Sequence, residues 1–109
     1  MNKNIAILVG GESVERTISI KSGENFIENL DTTKYSGYLI LVNNLDDDFY
    51  CLKNQIKIDK LDFSLEKNGK KIHFDASVIL IHGAPGETGE LCSYFESLNI
   101  PYSCLLYTS

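Results

Sequence analysis

Two short segments of the 109-residue chain combine glycines with residue types that bind charged groups. The first runs from Gly10 to Glu15 (Gly-Gly-Glu-Ser-Val-Glu), and the second runs from His82 to Gly89 (His-Gly-Ala-Pro-Gly-Glu-Thr-Gly). A carboxylate such as that of Glu15 binds an ammonium group, whereas a histidine and helix N-termini suit a carboxylate or an oxyanion. Together the two segments predict a site for a small zwitterion.

A phosphate-binding loop is a poorer interpretation of the first segment. The dinucleotide fingerprint G-x-G-x-x-G needs a third glycine that is absent here, and Glu12 and Glu15 would both face the pyrophosphate. The chain also lacks a G-x-x-x-x-G-K-[ST] loop. Neither nucleotide-binding pattern is therefore predicted.

Each segment follows an apolar run and precedes a helical pattern. Residues 5–9 are continuously apolar, which is typical of a parallel strand covered on both faces. Ser13 is a suitable N-cap for a helix that reaches about residue 30. A second buried strand is predicted at 38–42, which completes a strand-helix-strand unit. The buried stripe of this helix is predicted to contain Val14, Ile18, Phe26 and Leu30.

The second half of the chain repeats this design. Residues 76–81 predict a third buried strand, Thr88 is a plausible N-cap, and a fourth short strand begins near Tyr102. The core-facing stripe of the second helix follows the helical period, at Leu91, Tyr94, Phe95 and Leu98. If the first and third strands are neighbours, both glycine segments line one crevice beyond the C-terminal strand ends.

The pair Asn68-Gly69 predicts a two-residue β-hairpin in the middle of the chain. Counting outward from the turn pairs Lys67 with Lys70 and Ser64 with His73. One face then carries the apolar side chains Phe63, Leu65, Ile72 and Phe74, and the other carries Ser64, Glu66, Lys71 and His73. Shorter strands are predicted at 49–52 and 56–58. The expected fold is three-layer α/β, an open, mainly parallel, Rossmann-like sheet with an antiparallel β-hairpin insertion.

Composition limits the classes of partner. Ten basic and fifteen acidic residues give a net charge of −5, which disfavours binding to nucleic acid or to an anionic membrane surface. The apolar runs are too short to span a membrane, and the N-terminus does not resemble an export signal. Three cysteines without a C-x-x-C pair predict neither a disulfide framework nor a zinc site. A cytoplasmic protein with reduced thiols is expected.

Three motifs in order resemble the D-alanine–D-alanine ligase family. Residues 4–19 resemble the opening of these ligases, with its GG-x-S-x-E and SL elements. Residues 81–89 are similar to the HG-x-x-GEDG segment, with Thr88 in place of the usual Asp, and residues 98–102 are similar to LGIPY. The resemblance implies that residues 1–102 are the N-terminal, pre-ATP-grasp domain, with the hairpin insertion at about 46–75. Residues 103–109 depart from the family pattern, which indicates either a truncation or a foreign junction.

The resemblance also implies an activity and the residues that serve it. In the family, ATP phosphorylates the carboxylate of one D-alanine, and the amine of a second D-alanine attacks the acyl phosphate to form a dipeptide for peptidoglycan precursors. ATP and Mg2+ would be bound by ATP-grasp domains absent from this fragment, which itself would bind neither. Glu15 would be the catalytic residue that anchors the substrate ammonium. His82, Glu87 and Ser19 would join it in substrate binding.

This interpretation predicts that the 109-residue fragment is inactive alone, and it allows a homodimer for the full-length enzyme. Two alternatives stay open from the sequence. The first is a stand-alone module that binds an amino acid without catalysis. The second is the same domain of a D-alanine–D-lactate ligase, because the residues that choose the second substrate would lie in the absent domains.

Overall fold

The computed structural model describes residues 3–10, 15–42, 48–52, 55–80 and 85–104, apart from the side chains at 15–16, 85–90 and 104. Within these ranges the chain forms two helices and eight strands. The elements in chain order are β1 (Lys3–Gly10), α1 (Glu15–Glu28), β2 (Tyr35–Val42), β3 (Tyr50–Cys51), β4 (Ile56–Asp59), β5 (Ser64–Lys67), β6 (Lys70–His73), β7 (Ala76–Ile79), α2 (Pro85–Ser97) and β8 (Tyr102–Cys104).

All eight strands form one sheet in the order β6-β5-β4-β3-β2-β1-β7-β8. The four strands β2, β1, β7 and β8 run parallel, as predicted for the part of the sheet that carries the glycine segments. The other four strands pair antiparallel. The predicted hairpin is therefore the outer part of an antiparallel half that continues the sheet beyond β2.

The central strand β1 is covered on both faces, which confirms the predicted three layers. Ile5, Ile7 and Val9 pack with side chains of α1, among them Phe26. Ala6 and Leu8 point the other way, into a cluster that includes Leu91 and Phe95 of α2. Six consecutive residues from Ile5 to Gly10 are buried, because each face of the strand has its own helix.

Helix α1 lies very close to the sheet at Gly23. A Cβ atom at this position would come within 2.5 Å of Val9 Cγ1 and 2.6 Å of Leu39 Cδ2. Glycine at this position thus lets side chains of the sheet approach the helix backbone. The helix ends at Glu28, about two residues earlier than predicted.

The prediction that Ile18 belongs to the buried stripe of α1 is wrong. Ile18 is 57% exposed, although the helical period assigned it to the core. Phe26 is partly buried and packs on the sheet as predicted, whereas Val14 and the proposed cap Ser13 fall outside the described residues. Ser19 and Gly23 are buried instead, so the side of α1 that meets the sheet is theirs, and Ile18 lies about 100° around the helix from Ser19, away from the sheet.

The hairpin has the predicted register. Lys67 pairs with Lys70, Leu65 with Ile72 and Ser64 with His73, and Asn68 and Gly69 both have positive φ, as a type I′ turn requires. Ser64 is the exception to the predicted faces, since it is buried and its hydroxyl donates to Asp62 at 2.6 Å. Asp62 contacts this small side chain on the polar face, because its carboxylate accepts from Ser64 and also pairs with Lys71 of β6 at 3.0 Å.

An aromatic cluster joins the hairpin to α2. Phe63 is fully buried, and its ring centroid lies 4.9 Å from that of Phe95 and 5.1 Å from that of Phe74. The Tyr94 hydroxyl donates to the Lys60 carbonyl at 2.6 Å. Burial, followed by the charges of nearby aspartates, raises the pKa of Tyr94 well above its ordinary value, so this tyrosine stays a neutral donor.

Helix α2 begins at Pro85, three residues before the predicted cap. Thr88 is therefore inside the helix, and its prediction as the N-cap is wrong. Proline has no N–H to leave unpaired and a fixed φ suited to the first helical position, so the helix can start there. The predicted core stripe is confirmed at Leu91 and Phe95, which are buried.

Strand β8 closes the parallel edge, with Ser77, Val78 and Ile79 of β7 as its partners. The Tyr102 hydroxyl on β8 donates to Glu96 of α2 at 2.6 Å. Cys51 and Cys92 are free thiols. Neither of the two described helices has the length and apolar character needed to cross a membrane.

Replacing Gly23 by alanine tests the close approach of α1. Alanine favours a helix over glycine by about 1 kcal/mol, but the new methyl group would overlap Val9 and Leu39, which costs about 1–3 kcal/mol in a packed core. We expect a net loss in the free energy of unfolding, measured by urea denaturation. Ser22→Ala on the same turn is the control and should change it by less than about 0.5 kcal/mol. A Gly23→Ala chain as stable as the control would contradict the packing described.

The Tyr102–Glu96 hydrogen bond predicts a late tyrosine ionisation. The carboxylate acceptor, followed by burial, raises the pKa of Tyr102 to about 12. The stability that this hydrogen bond contributes is therefore fully present below about pH 10, where a free tyrosine ionises, and is lost as the pH rises through about 12. The absorbance titration at 295 nm, taken as wild type minus Tyr102→Phe, should have this high midpoint. Glu96→Gln should move the midpoint down, and a midpoint near 10 in the wild type would refute the contact.

Candidate functional site

The C-terminal ends of β1 and β7 lie side by side, which confirms the neighbour relation on which the predicted crevice depends. Leu8 pairs with Ile79, and the Leu80 amide donates to the Leu8 carbonyl at 2.9 Å. Helix α1 begins five residues after the end of β1, and α2 begins six residues after the end of β7. Both helix N-termini are therefore brought to this edge of the sheet, where their partial positive charge favours an anion.

A buried serine hydroxyl connects the two strand ends to α1. Ser19 has no exposed surface, and its Oγ accepts a hydrogen bond from the Gly10 amide at 3.0 Å. The same hydroxyl donates to the Leu80 carbonyl at 2.6 Å. One side chain of α1 thus satisfies the main-chain amide at the end of β1 and the main-chain carbonyl directly after β7.

Gly10 is the point at which the chain leaves β1. Its φ of +126° is accessible mainly to glycine, and a Cβ atom there would lie 2.4 Å from the Val42 carbonyl oxygen. The residue therefore permits both the turn after the strand and the close approach of β2. Glycine at position 10 is therefore required by the backbone geometry.

The structure locates the four predicted site residues to different degrees. Glu15 is the first residue of α1 and Glu87 is the third residue of α2, so their backbones lie in the first turns of the two helices. Their side chains are outside the described part of the chain, as is His82 entirely. The proposed roles of these three residues stay predictions.

Ser19 is the predicted site residue whose surroundings are described in full. Its hydroxyl is buried and bonded to main chain on both sides, which is a structural role. Its predicted part in substrate binding stays a prediction. Sequence reasoning missed this bridge. The available signal was a small polar residue between Ile18 and Ile20 on a helix that packs against apolar strands.

Other features of the described chain lie away from this edge. An apolar groove of about 430 Å³ lies at the opposite, N-terminal edge of the parallel strands, between Ile5, Leu30, Tyr35 and Pro101. A polar depression of about 510 Å³ lies on the hairpin side, next to Lys57, Asp59 and Lys71. No three His, Cys, Asp or Glu side chains are grouped for a metal ion among the residues that the structure describes.

Comparison with known proteins agrees with this arrangement. The family model described as D-ala D-ala ligase N-terminus matches residues 4–104. The D-alanine–D-alanine ligase of Azobacteroides pseudotrichonymphae is 43% identical over 106 residues, which cover 94% of this chain and 32% of the relative. The ligase of Parabacteroides distasonis is 44% identical over 105 residues, with the same coverage. The chain thus spans about one third of the length of the relatives that it matches.

Solved structures give the same result. The D-alanine–D-alanine ligase of Coxiella burnetii matches with a TM-score of 0.70 and 27% identity over 93% of this chain and 34% of the other. The Bacillus anthracis enzyme, whose crystal structure is a complex with ATP, matches with a TM-score of 0.63 and 30% identity over 94% of this chain and 28% of the other. The chain therefore belongs to the D-alanine–D-alanine ligase family and corresponds to the N-terminal domain of its members.

Proposed function

We propose that this chain is the substrate-positioning N-terminal domain of an ATP-dependent D-alanine–D-alanine ligase. The observation that carries the proposal is the family match over residues 4–104, which includes both glycine segments. The geometry supports it, because the adjacent ends of β1 and β7 bring the two segments and two helix N-termini to one edge. Such an edge suits a small molecule with both an ammonium and a carboxylate group.

The proposed reaction joins two D-alanine molecules. The carboxylate of the first takes the γ-phosphoryl group of ATP, which leaves ADP and an acyl phosphate. The amine of the second then attacks the carbonyl carbon and loses a proton, the bond from that carbon to the phosphate oxygen breaks, and inorganic phosphate leaves. The dipeptide would serve peptidoglycan synthesis.

Within this reaction the chain would hold the first D-alanine. Glu15 would bind its ammonium group, since it is the first residue of α1 and the N-terminus of that helix lies at the crevice. His82 would lie near the reacting carboxylate, and Glu87 would support it from the first turn of α2. ATP and Mg2+ would be held by the remaining two thirds of the full-length protein, in the cytoplasm where ATP is supplied. The 109 residues alone would then be inactive.

The first experiment is to express the full-length protein that contains this domain and to supply D-alanine, ATP and Mg2+. We expect D-alanine-dependent release of phosphate and formation of D-alanyl-D-alanine, detected by mass spectrometry. Parallel reactions with D-lactate or D-serine as the second substrate test the sibling specificities. Binding of D-alanine without ATP turnover would support a non-catalytic module and contradict the proposal.

Glu15→Gln in the full-length protein tests the proposed ammonium anchor. Glutamine keeps the shape of the side chain but removes its charge, so we expect kcat/KM for D-alanine to fall roughly 100-fold or more. Glu24→Gln is the matched control, because Glu24 is an exposed glutamate farther along α1. It should leave the kinetics unchanged. Near-normal turnover by Glu15→Gln would remove the assignment.

A further inference from the structure

We infer that Ser19 is a positioning residue that sets the separation of the two glycine segments and thereby the spacing of the groups that hold the substrate. The inference rests on the proposed function and adds to it a residue that acts without touching the substrate. It stands on the two hydrogen bonds of the Ser19 hydroxyl and on its complete burial.

The hydroxyl takes the place of a hydrogen bond between strands. In a parallel ladder, the N–H of a residue donates to a carbonyl on the neighbouring strand. The C=O of the same residue accepts from the amide that lies two residues after that carbonyl on the neighbouring strand. Leu80 follows this pattern on one side, since its amide donates to the Leu8 carbonyl. The regular partner of the Leu80 carbonyl would be the Gly10 amide. Instead, Ser19 Oγ lies between them, accepting from Gly10 and donating to Leu80.

This insertion holds the strands apart at the point where the glycine segments begin. Gly10 is the last residue of β1, and Leu80 directly follows β7. The inserted side chain also belongs to α1, one helical turn after Glu15. A single buried group therefore fixes the two strand ends and the first turns of the helix relative to one another.

Loss of the hydroxyl must change this spacing or leave polar groups unpaired. In Ser19→Ala the Gly10 amide and the Leu80 carbonyl can approach and bond directly, which closes the gap between the segments. If they stay apart, two buried main-chain groups lack their partner, which is costly. In the first case Glu15 shifts relative to the segment that contains His82, and an error of about 1 Å in placement can cost about 100-fold in rate. In the second case the strand ends lose the hydrogen bonds that fix them relative to α1.

The test compares three variants of the full-length protein: Ser19→Ala, Ser19→Thr, and Ser77→Ala as the matched control. Ser77 is also a buried serine, and its hydroxyl donates to the Pro101 carbonyl at 3.3 Å, away from the site edge. We expect Ser19→Ala to lower kcat and raise KM for the first D-alanine, with kcat/KM reduced roughly 10- to 100-fold, while KM for ATP stays constant. Ser77→Ala should retain wild-type kinetics, and Ser19→Thr, which keeps the hydroxyl, should retain more activity than Ser19→Ala.

Amide hydrogen exchange provides a readout that is independent of activity. Ser19→Ala should change the exchange rate both in the peptide that contains Gly10 and in the peptide that contains Leu80. Ser77→Ala should leave both rates unchanged. Altered exchange with unchanged kinetics would overturn the positioning role while the proposed function stands. Equal loss of activity in Ser19→Ala and Ser19→Thr would also overturn it. A wild-type protein without ligase activity would refute the proposed function, and the exchange data would still decide whether the hydroxyl fixes both segments.

Discussion

The hydrogen bonds of one buried hydroxyl are the constraint on which the candidate site depends. Ser19 joins the Gly10 amide to the Leu80 carbonyl where the ladder between β1 and β7 would otherwise continue. Satisfying both main-chain groups through a side chain lets the strands separate without leaving a buried polar group unpaired. Because α1 supplies that side chain, the same two hydrogen bonds set the separation of the strand ends and the position of the helix. Both determine the shape of the crevice.

Features set by neighbouring residues could be predicted from the sequence. The hairpin register follows from Asn68-Gly69 because a two-residue turn fixes which residues face each other. The contacts of Leu91 and Phe95 follow from the helical period of apolar residues. Both patterns are complete within about a dozen residues, so distant parts of the chain have little influence on them.

Features decided by distant contacts could not be predicted in the same way. Ile18 fits the apolar period of α1 but is exposed, because the helix meets the sheet on the side of Ser19 and Gly23, which the apolar period does not mark. The capping preference of threonine predicts a start of α2 at Thr88, while the structure begins the helix at Pro85. The Ser19 bridge joins groups 9 and 61 residues away. Residue types and the family resemblance together predict the site residues, but neither predicts how a side chain such as that of Ser19 is bonded.

The antiparallel half of the sheet contributes to the site through α2, although the hairpin lies at the far end of the sheet. The Phe63 ring packs against Phe95, and the Tyr94 hydroxyl is bonded to the Lys60 carbonyl. These contacts fix the helix whose first turn contains Glu87. Helix α1 is fixed separately, by the close packing of Gly23 and by Ser19. The two helix N-termini at the crevice are thus held by independent contacts, so a change in the aromatic cluster should shift the α2 side of the site while leaving the α1 side in place.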